Sequence, residues 1–239
     1  MIYPRIIAHR CGGALAPENT LAGLRLAARL GCRGVEFDAM LCADGVPMLI
    51  HDETLERTTS GRGAVAAMSS AQLAQLDAGR RHHPAFAGEP APTLDAALRL
   101  CAELGLWANV EIKPSAGQEL ATGDVVARHA AAASGKLVLS SFSAEALGAA
   151  AAEAPQLRRA LLVEAIPADW RERMLASGAL ALHASARALN AEAAHAVRAA
   201  GFPLACYTVN RRVDAERLFA LGVVAVFTDR PDLWQSPEM

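Results

Sequence analysis

Charged residues inside β-like runs are the chemically informative feature of this sequence. Glu36 and Asp38 stand at i and i+2 in Val35-Glu-Phe-Asp38, a spacing that points both side chains to one face of a strand. Glu111 and Lys113 repeat it in Asn109-Val-Glu-Ile-Lys113. If the strands close into a barrel, alternate residues face a packed interior, where an unpaired carboxylate is expensive. Three acids converging from two strands repel one another unless a cation sits among them. A donor set made only of hard oxygens suits one divalent cation, Mg²⁺ or Ca²⁺, and not zinc. The plainer alternative is that these carboxylates point outward and pair with Lys or Arg on neighbouring helices.

Two histidines sharpen the first reading. His9 ends one run in Ala8-His-Arg10, and His51 ends another in Ile50-His-Asp52. Both fall where an α/β barrel carries its active-site loops. A lone histidine at a strand end is more often a satisfied structural residue, but two beside a carboxylate cluster fit acid–base work. Arg10 and Lys113 place cations at the same ends, either for a phosphoryl group or simply to neutralise Glu36, Asp38 and Glu111. Of the remaining histidines, His82, His83, His129 and His195 read as solvated. His183 ends a run and could line a site, with no role to assign to it.

The elements that must position these groups follow from periodicity. Short β-like runs alternate with helical segments, the pattern of a parallel sheet wrapped by helices. The runs cover 6–9, 35–41, 107–112, 137–140, 160–163, 179–183, 203–208 and 223–228, the eight that a closed barrel requires. Thr20 caps a helix with Leu21, Leu24 and Ala28 on one face, ended by Gly31. Thr93 caps another, with Leu94, Leu98 and Cys101 aligned. Asp44-Gly45 is a hairpin signal in a connection too short for a parallel crossover, so 47–50 is expected to run antiparallel. Beyond it the chain turns polar, with a short helix opened by the capping box Ser69-x-x-Gln72. No GxGxxG follows the first run, which argues against a doubly wound sheet. The expected fold is α/β: a (β/α)8 TIM barrel in one domain over 1–239, with a small insertion after strand two at about 43–92.

Composition bounds the partners. The chain is 53% hydrophobic and carries a formal net charge of −2 without a basic run, so nucleic acid and anionic membrane surfaces are not expected partners. The five cysteines are dispersed without CxxC spacing, which predicts free thiols in a reducing compartment. Residues 1–5 carry no basic region followed by an apolar one, and no apolar run has membrane-spanning length, so a cytoplasmic location without stable membrane association is expected. The pattern specifies no oligomeric state. No His-x-His pair occurs, which sets aside the zinc hydrolases built on one.

Taken together, His9-Arg-Cys-Gly-Gly, Ala16-Pro-Glu-Asn-Thr20, Glu36-Phe-Asp38, His51-Asp-Glu-Thr-Leu-Glu-Arg-Thr-Thr59 and Glu111-Ile-Lys113 resemble the signatures of glycerophosphodiester phosphodiesterases. Pro92-Thr-Leu94, Ser140-Ser-Phe-Ser143, Tyr207-Thr-Val-Asn210 and Thr228-Asp-Arg-Pro-Asp232 continue the resemblance in order along nearly the whole chain. It implies a (β/α)8 barrel that hydrolyses small glycerophosphodiesters to an alcohol and sn-glycerol 3-phosphate. Carried over by position, Glu36, Asp38 and Glu111 become metal ligands, and His9 and His51 the general acid and base, in an order left open. Arg10 and Lys113 contact the phosphate. Glu18 and Asn19 lie on the first active-site loop. Glu18 there binds metal or glycerol hydroxyls or braces the loop, and Asn19 either donates or accepts.

One position departs from the family: Cys11 stands where the usual pattern has glycine. Glycine allows positive φ and close backbone approach at little cost, and cysteine does not, so Gly12 and Gly13 are expected to absorb the turn. Two alternatives stay beside the main reading: a related barrel phosphodiesterase for lysophospholipids, and a non-catalytic barrel that binds phosphorylated ligands.

Overall fold

A computed structural model describes residues 3–234, so the outermost ends of the expected domain, 1–2 and 235–239, lie outside it. Eight parallel strands close into a barrel: β1 (Ile6–Ala8), β2 (Gly34–Leu41), β4 (Trp107–Ile112), β5 (Leu137–Ser141), β6 (Arg159–Val163), β7 (Ala181–Ser185), β8 (Leu204–Tyr207) and β9 (Ala225–Thr228). Closure comes from β1, which pairs in parallel with both β2 and β9. The ninth strand, β3 (Pro47–Leu49), lies outside the barrel and pairs antiparallel with the end of β2, as the Asp-Gly turn predicts.

The wrapping helices are α1 (Leu21–Arg29), α3 (Leu94–Leu104), α4 (Glu119–Ala132), α5 (Ala144–Glu153), α6 (Trp170–Ala176), α7 (Ala191–Ala199) and α8 (Arg212–Ala220), with the short α2 (Ser70–Leu73) in the insertion. Side-chain caps fix their starts: Thr20 accepts from the Gly23 amide, Thr93 from Ala96, Ser143 from Ala146 and Asn190 from Ala193. Ser69 and Gln72 form the reciprocal capping box expected at α2. Helices α4 and α5 approach closely at Gly123, where an added Cβ would lie 2.2 Å from the Ala146 carbonyl oxygen.

The N-terminal end of the barrel is plugged by its own side chains. Ala160, Ala181, Ala205 and Ala225, from four successive strands, leave the room that Tyr3 and Trp107 fill, with ring centroids 5.1 Å apart. Among the described residues, the cavity lies on the other side of this packed layer, toward the C-terminal ends of the strands.

Two expectations change. The seventh strand is Ala181–Ser185 instead of 179–183, because Ala179 and Leu180 make the turn out of α6: Gly178 takes φ +61° and the Ala179 amide donates to the Met174 carbonyl. A two-residue slide preserves the facing of every side chain, but it places His183 in mid-strand and not at a strand end. The 43–92 insertion, polar by composition, also builds a small core of its own, in which Met48, Ile50, Leu55, Val65 and Leu73 pack with Met40 and Cys42. That core holds the His51 loop against β2.

Candidate active site

Strand register brings the acids together. Asp38 on β2 lies opposite Glu111 on β4, and Glu36 lies opposite Asn109. Glu36, Asp38 and Glu111 offer carboxylate oxygens all within 4.8 Å of one another, and Glu36 and Asp38 are 3% and 1% exposed. The charges thus face the barrel interior, and the outward alternative fails. Burial, aided by repulsion from Asp38, pushes the Glu36 carboxyl up to about 7 and Glu111 up to about 8. One Glu36 oxygen accepts from the Arg10 amide at 2.7 Å, while the other, Oε1, is buried without a partner. An orphaned carboxylate oxygen in an all-oxygen cluster fits a hard divalent cation.

Each expected catalytic histidine is held by its own aspartate. His9 Nδ1 lies 2.7 Å from Asp229 Oδ1, and Asp229 in turn accepts from Asn210 Nδ2 through Oδ2 and donates its amide to Asn210 Oδ1. Burial pulls the His9 pKa down, but the Asp229 and Glu36 carboxylates outweigh it and hold the imidazole above its ordinary value. His51 Nδ1 lies 2.6 Å from Asp52 Oδ1, and its Nε2 lies 2.8 Å from Lys113 Nζ. An ammonium can only donate, so Nε2 of His51 is the acceptor and Nδ1–H donates to Asp52. Burial, with the Arg10 and Lys113 cations nearby, holds His51 below its ordinary value. The two rings are thus poised oppositely, His9 toward imidazolium and His51 toward neutral imidazole.

His9, Arg10, Glu36, Asp38, His51, Glu111 and Lys113 line a single cavity of about 280 Å³ together with the apolar Phe142, Leu162, Tyr207 and Phe227. Glu18 and Asn19 stand behind the charged residues. Glu18 accepts from Arg10 at 2.9 Å and from both terminal nitrogens of Arg57, whose Nε also reaches Asp52. Asn19 exchanges two hydrogen bonds with Asp38, donating from Nδ2 at 2.8 Å and accepting the Asp38 amide at 3.1 Å. Glu18 is thus held between the guanidinium groups of Arg10 and Arg57. Asn19 both donates and accepts, and it orients a carboxylate.

The turn after β1 differs from expectation. Gly12 has an ordinary φ of −109°, while Arg10, Cys11 and Gly13 all have positive φ, at 49°, 73° and 61°. Cys11 therefore takes the left-handed conformation itself, at a cost of about 1 kcal/mol or more. Its amide is held by the Glu36 carbonyl at 2.7 Å, and its buried side chain sits where a Cβ on Gly23 would come within 2.9 Å. Gly13 must be glycine, because a Cβ there would lie 2.4 Å from the Asp229 carbonyl oxygen. Among the other histidines, His82, His83 and His195 are exposed as expected. His129 is instead half-buried, 2.7 Å from Asp95, where it links α3 to α4.

Sequence reasoning passed over Asp52, Asp229, Asn210 and Arg57 as working residues. Their motifs were visible, and the His51-Asp52 dipeptide was a local signal. Nothing local connects Asp229 to His9 across 220 residues.

Three clustered carboxylates, two histidines and two cations meet at the mouth of a parallel barrel, a set that suits phosphoric diester hydrolysis. The model of the glycerophosphoryl diester phosphodiesterase family matches residues 9–233, and the chain belongs to that family. A glycerophosphodiester phosphodiesterase of Caldanaerobacter subterraneus is 32% identical over 233 residues, covering 95% of this chain and 94% of the relative. One from Bacillus subtilis is 30% identical, covering 95% and 84%. Among solved structures, an Oleispira antarctica phosphodiesterase in complex with the product sn-glycerol-3-phosphate aligns with a TM-score of 0.94 at 36% identity, over 97% of this chain and 95% of that one. No helix among the described residues is long and apolar enough to cross a membrane.

Proposed function

We propose that this chain hydrolyses small glycerophosphodiesters to an alcohol and sn-glycerol 3-phosphate, with a divalent cation and with His9 and His51 as the acid–base pair. One observation carries the reading: the buried three-carboxylate cluster with its unpartnered Glu36 oxygen lies in one cavity with both histidines, Arg10 and Lys113. The product bound by the Oleispira antarctica relative supports the choice of substrate.

Glu36, Asp38 and Glu111 hold the cation, Mg²⁺ or Ca²⁺, which when bound neutralises nonbridging phosphate oxygens. Arg10 and Lys113 add positive charge to the same oxygens. His51, neutral and anchored through Nδ1–H to Asp52, takes a proton on Nε2 from the attacking hydroxyl once Lys113 turns to the phosphate. His9, oriented by Asp229 through Nδ1, gives the proton on Nε2 to the leaving oxygen. Asn19 and Glu18 keep Asp38 and Arg10 in register. The five free thiols fit a reducing compartment.

The test is release of sn-glycerol 3-phosphate from glycerophosphocholine with Mg²⁺, with Ca²⁺ and with EDTA. Release that needs the cation supports both substrate class and carboxylate site, whereas full activity in EDTA removes the metal from the mechanism. Phe142, 51% exposed beside Tyr207 in the cavity lining, favours trying a lysophospholipid in the same assay. Faster turnover of the lysolipid would move the substrate to that class.

A further inference from the structure

We propose that His183 and Asn109 form a polar subsite on the floor of the cavity, beneath the carboxylates, that receives a hydroxyl group of the substrate's glycerol portion. This rests on the glycerophosphodiester reading above and extends it to residues that reading leaves idle.

Both side chains line the cavity, and both are 1% exposed. Asn109 lies two residues before Glu111 on β4, hence on the same face and one step, roughly 6.6 Å, deeper in the barrel. Its Nδ2 donates to Ser140 Oγ at 2.8 Å, and its Oδ1 is buried without a partner. His183 stands on β7 in an otherwise aromatic setting, its ring 5.7 Å from that of Tyr3 and 5.1 Å from that of Phe227. Its Nε2 lies 2.9 Å from the Tyr3 hydroxyl, and its Nδ1 is buried without a partner. Two orphaned polar atoms in one cavity floor are rare in a native interior unless something polar visits them.

The chemistry of the visitor follows from the donors. Burial holds His183 neutral, with its pKa pushed down to about 3, and keeps the Tyr3 hydroxyl protonated. With Tyr3 O–H donating to Nε2, the ring proton sits on Nδ1, so His183 keeps an unpaired donor and Asn109 Oδ1 an unpaired acceptor in residues that line the cavity. A hydroxyl both donates and accepts, and it carries no charge to desolvate at the barrel floor. A phosphate oxygen only accepts and belongs higher, with Arg10 and Lys113. Packing alone does not call for this histidine, since leucine would fill the same aromatic setting and leave no nitrogen unpaired.

The test compares sn-glycerol 3-phosphate with propyl phosphate, which keeps the phosphate and three carbons but has no free hydroxyl. Both are titrated calorimetrically into Mg²⁺-loaded protein. Wild type should prefer sn-glycerol 3-phosphate. His183→Leu should weaken that ligand about tenfold and leave propyl phosphate within about twofold. Tyr3→Phe, which keeps the ring and frees the tautomer, should move the same way by about threefold. Equal loss for both ligands, or no loss for either, would show that His183 only packs or holds water and would overturn the subsite. A wild type without preference would do the same. Release of sn-glycerol 3-phosphate from glycerophosphocholine is read separately, so failure of the proposed reaction is not confused with failure of the subsite.

Discussion

Raising the pH from about 5 to about 8 in EDTA should destabilise the fold, and adding Mg²⁺ should reverse the loss most strongly at the upper end. In the unfolded chain Glu36 and Glu111 titrate near 4.5, but in the fold they titrate at about 7 and about 8. Between those values the folded protein holds more protons than the unfolded one, so stability present at low pH is lost as pH rises through the folded values. At 1.36 kcal/mol per pH unit the two intervals set a ceiling of roughly 8 kcal/mol. Both carboxyls owe part of the effect to Asp38 and line a cavity that admits water, so about 3–5 kcal/mol is the working figure. His9, also held above its ordinary value, acts in the same direction, while His51, held below its own, opposes. For a chain of 239 residues this lowers Tm by on the order of 10 °C. A cation competes with those protons, so its stabilisation should grow with pH. Differential scanning calorimetry across the pH range, with EDTA and with Mg²⁺, measures both curves, and Glu36→Gln should flatten the EDTA curve. A Tm in EDTA that stays level or rises with pH would refute the reasoning, as would a Mg²⁺ gain no larger at high pH than at low.

Further outcomes follow from the same geometry. His9→Ala and His51→Ala should each lower kcat about 10²–10⁴-fold with Tm little changed, and near wild-type turnover in either would remove that ring from the mechanism. Asp229→Asn should lower kcat by about tenfold or more with KM nearly unchanged, because it loosens the ring that must deliver a proton without touching the phosphate; a rise in KM alone would contradict this. Gly23→Ala should destabilise by about 1–3 kcal/mol, because its methyl meets Cys11 Cβ. Adding Cys11→Gly should restore part of that loss in a denaturant-unfolding double-mutant cycle, and strictly additive changes would show that the two positions do not touch.

The left-handed Cys11 shows how the site is built on restraint from outside its own loop. Arg10, Cys11 and Asn19 all have positive φ in the two segments that flank the carboxylates. Such conformations persist only where surroundings over-determine them. Here the Glu36 carbonyl, the Asp38–Asn19 exchange and the Glu18–Arg57 pair supply that restraint.

What the sequence determined by itself was everything that depends on local period. Alternation in β2 and β4 put Glu36 with Asp38, and Glu111 with Lys113, on one face of their strands, because a strand's two-residue repeat is a property of its own backbone, while barrel closure decided that this face turns inward. Thr20, Ser69, Thr93 and the Asp44-Gly45 turn set their elements for the same reason, and eight runs pointed to a closed barrel. The tertiary structure alone decided which partners those side chains meet. Asp229 reaches His9 because closure lays β9 beside β1. Lys113 reaches His51, and Arg57 reaches Glu18, because the insertion folds back on its own small core over the end of β2. The strain at Cys11 was equally out of view, since it is tolerated only where Gly23 on α1 leaves room for its side chain. Local rules act over a few residues, whereas these contacts join residues dozens to hundreds apart, and only the closed barrel brings them within reach.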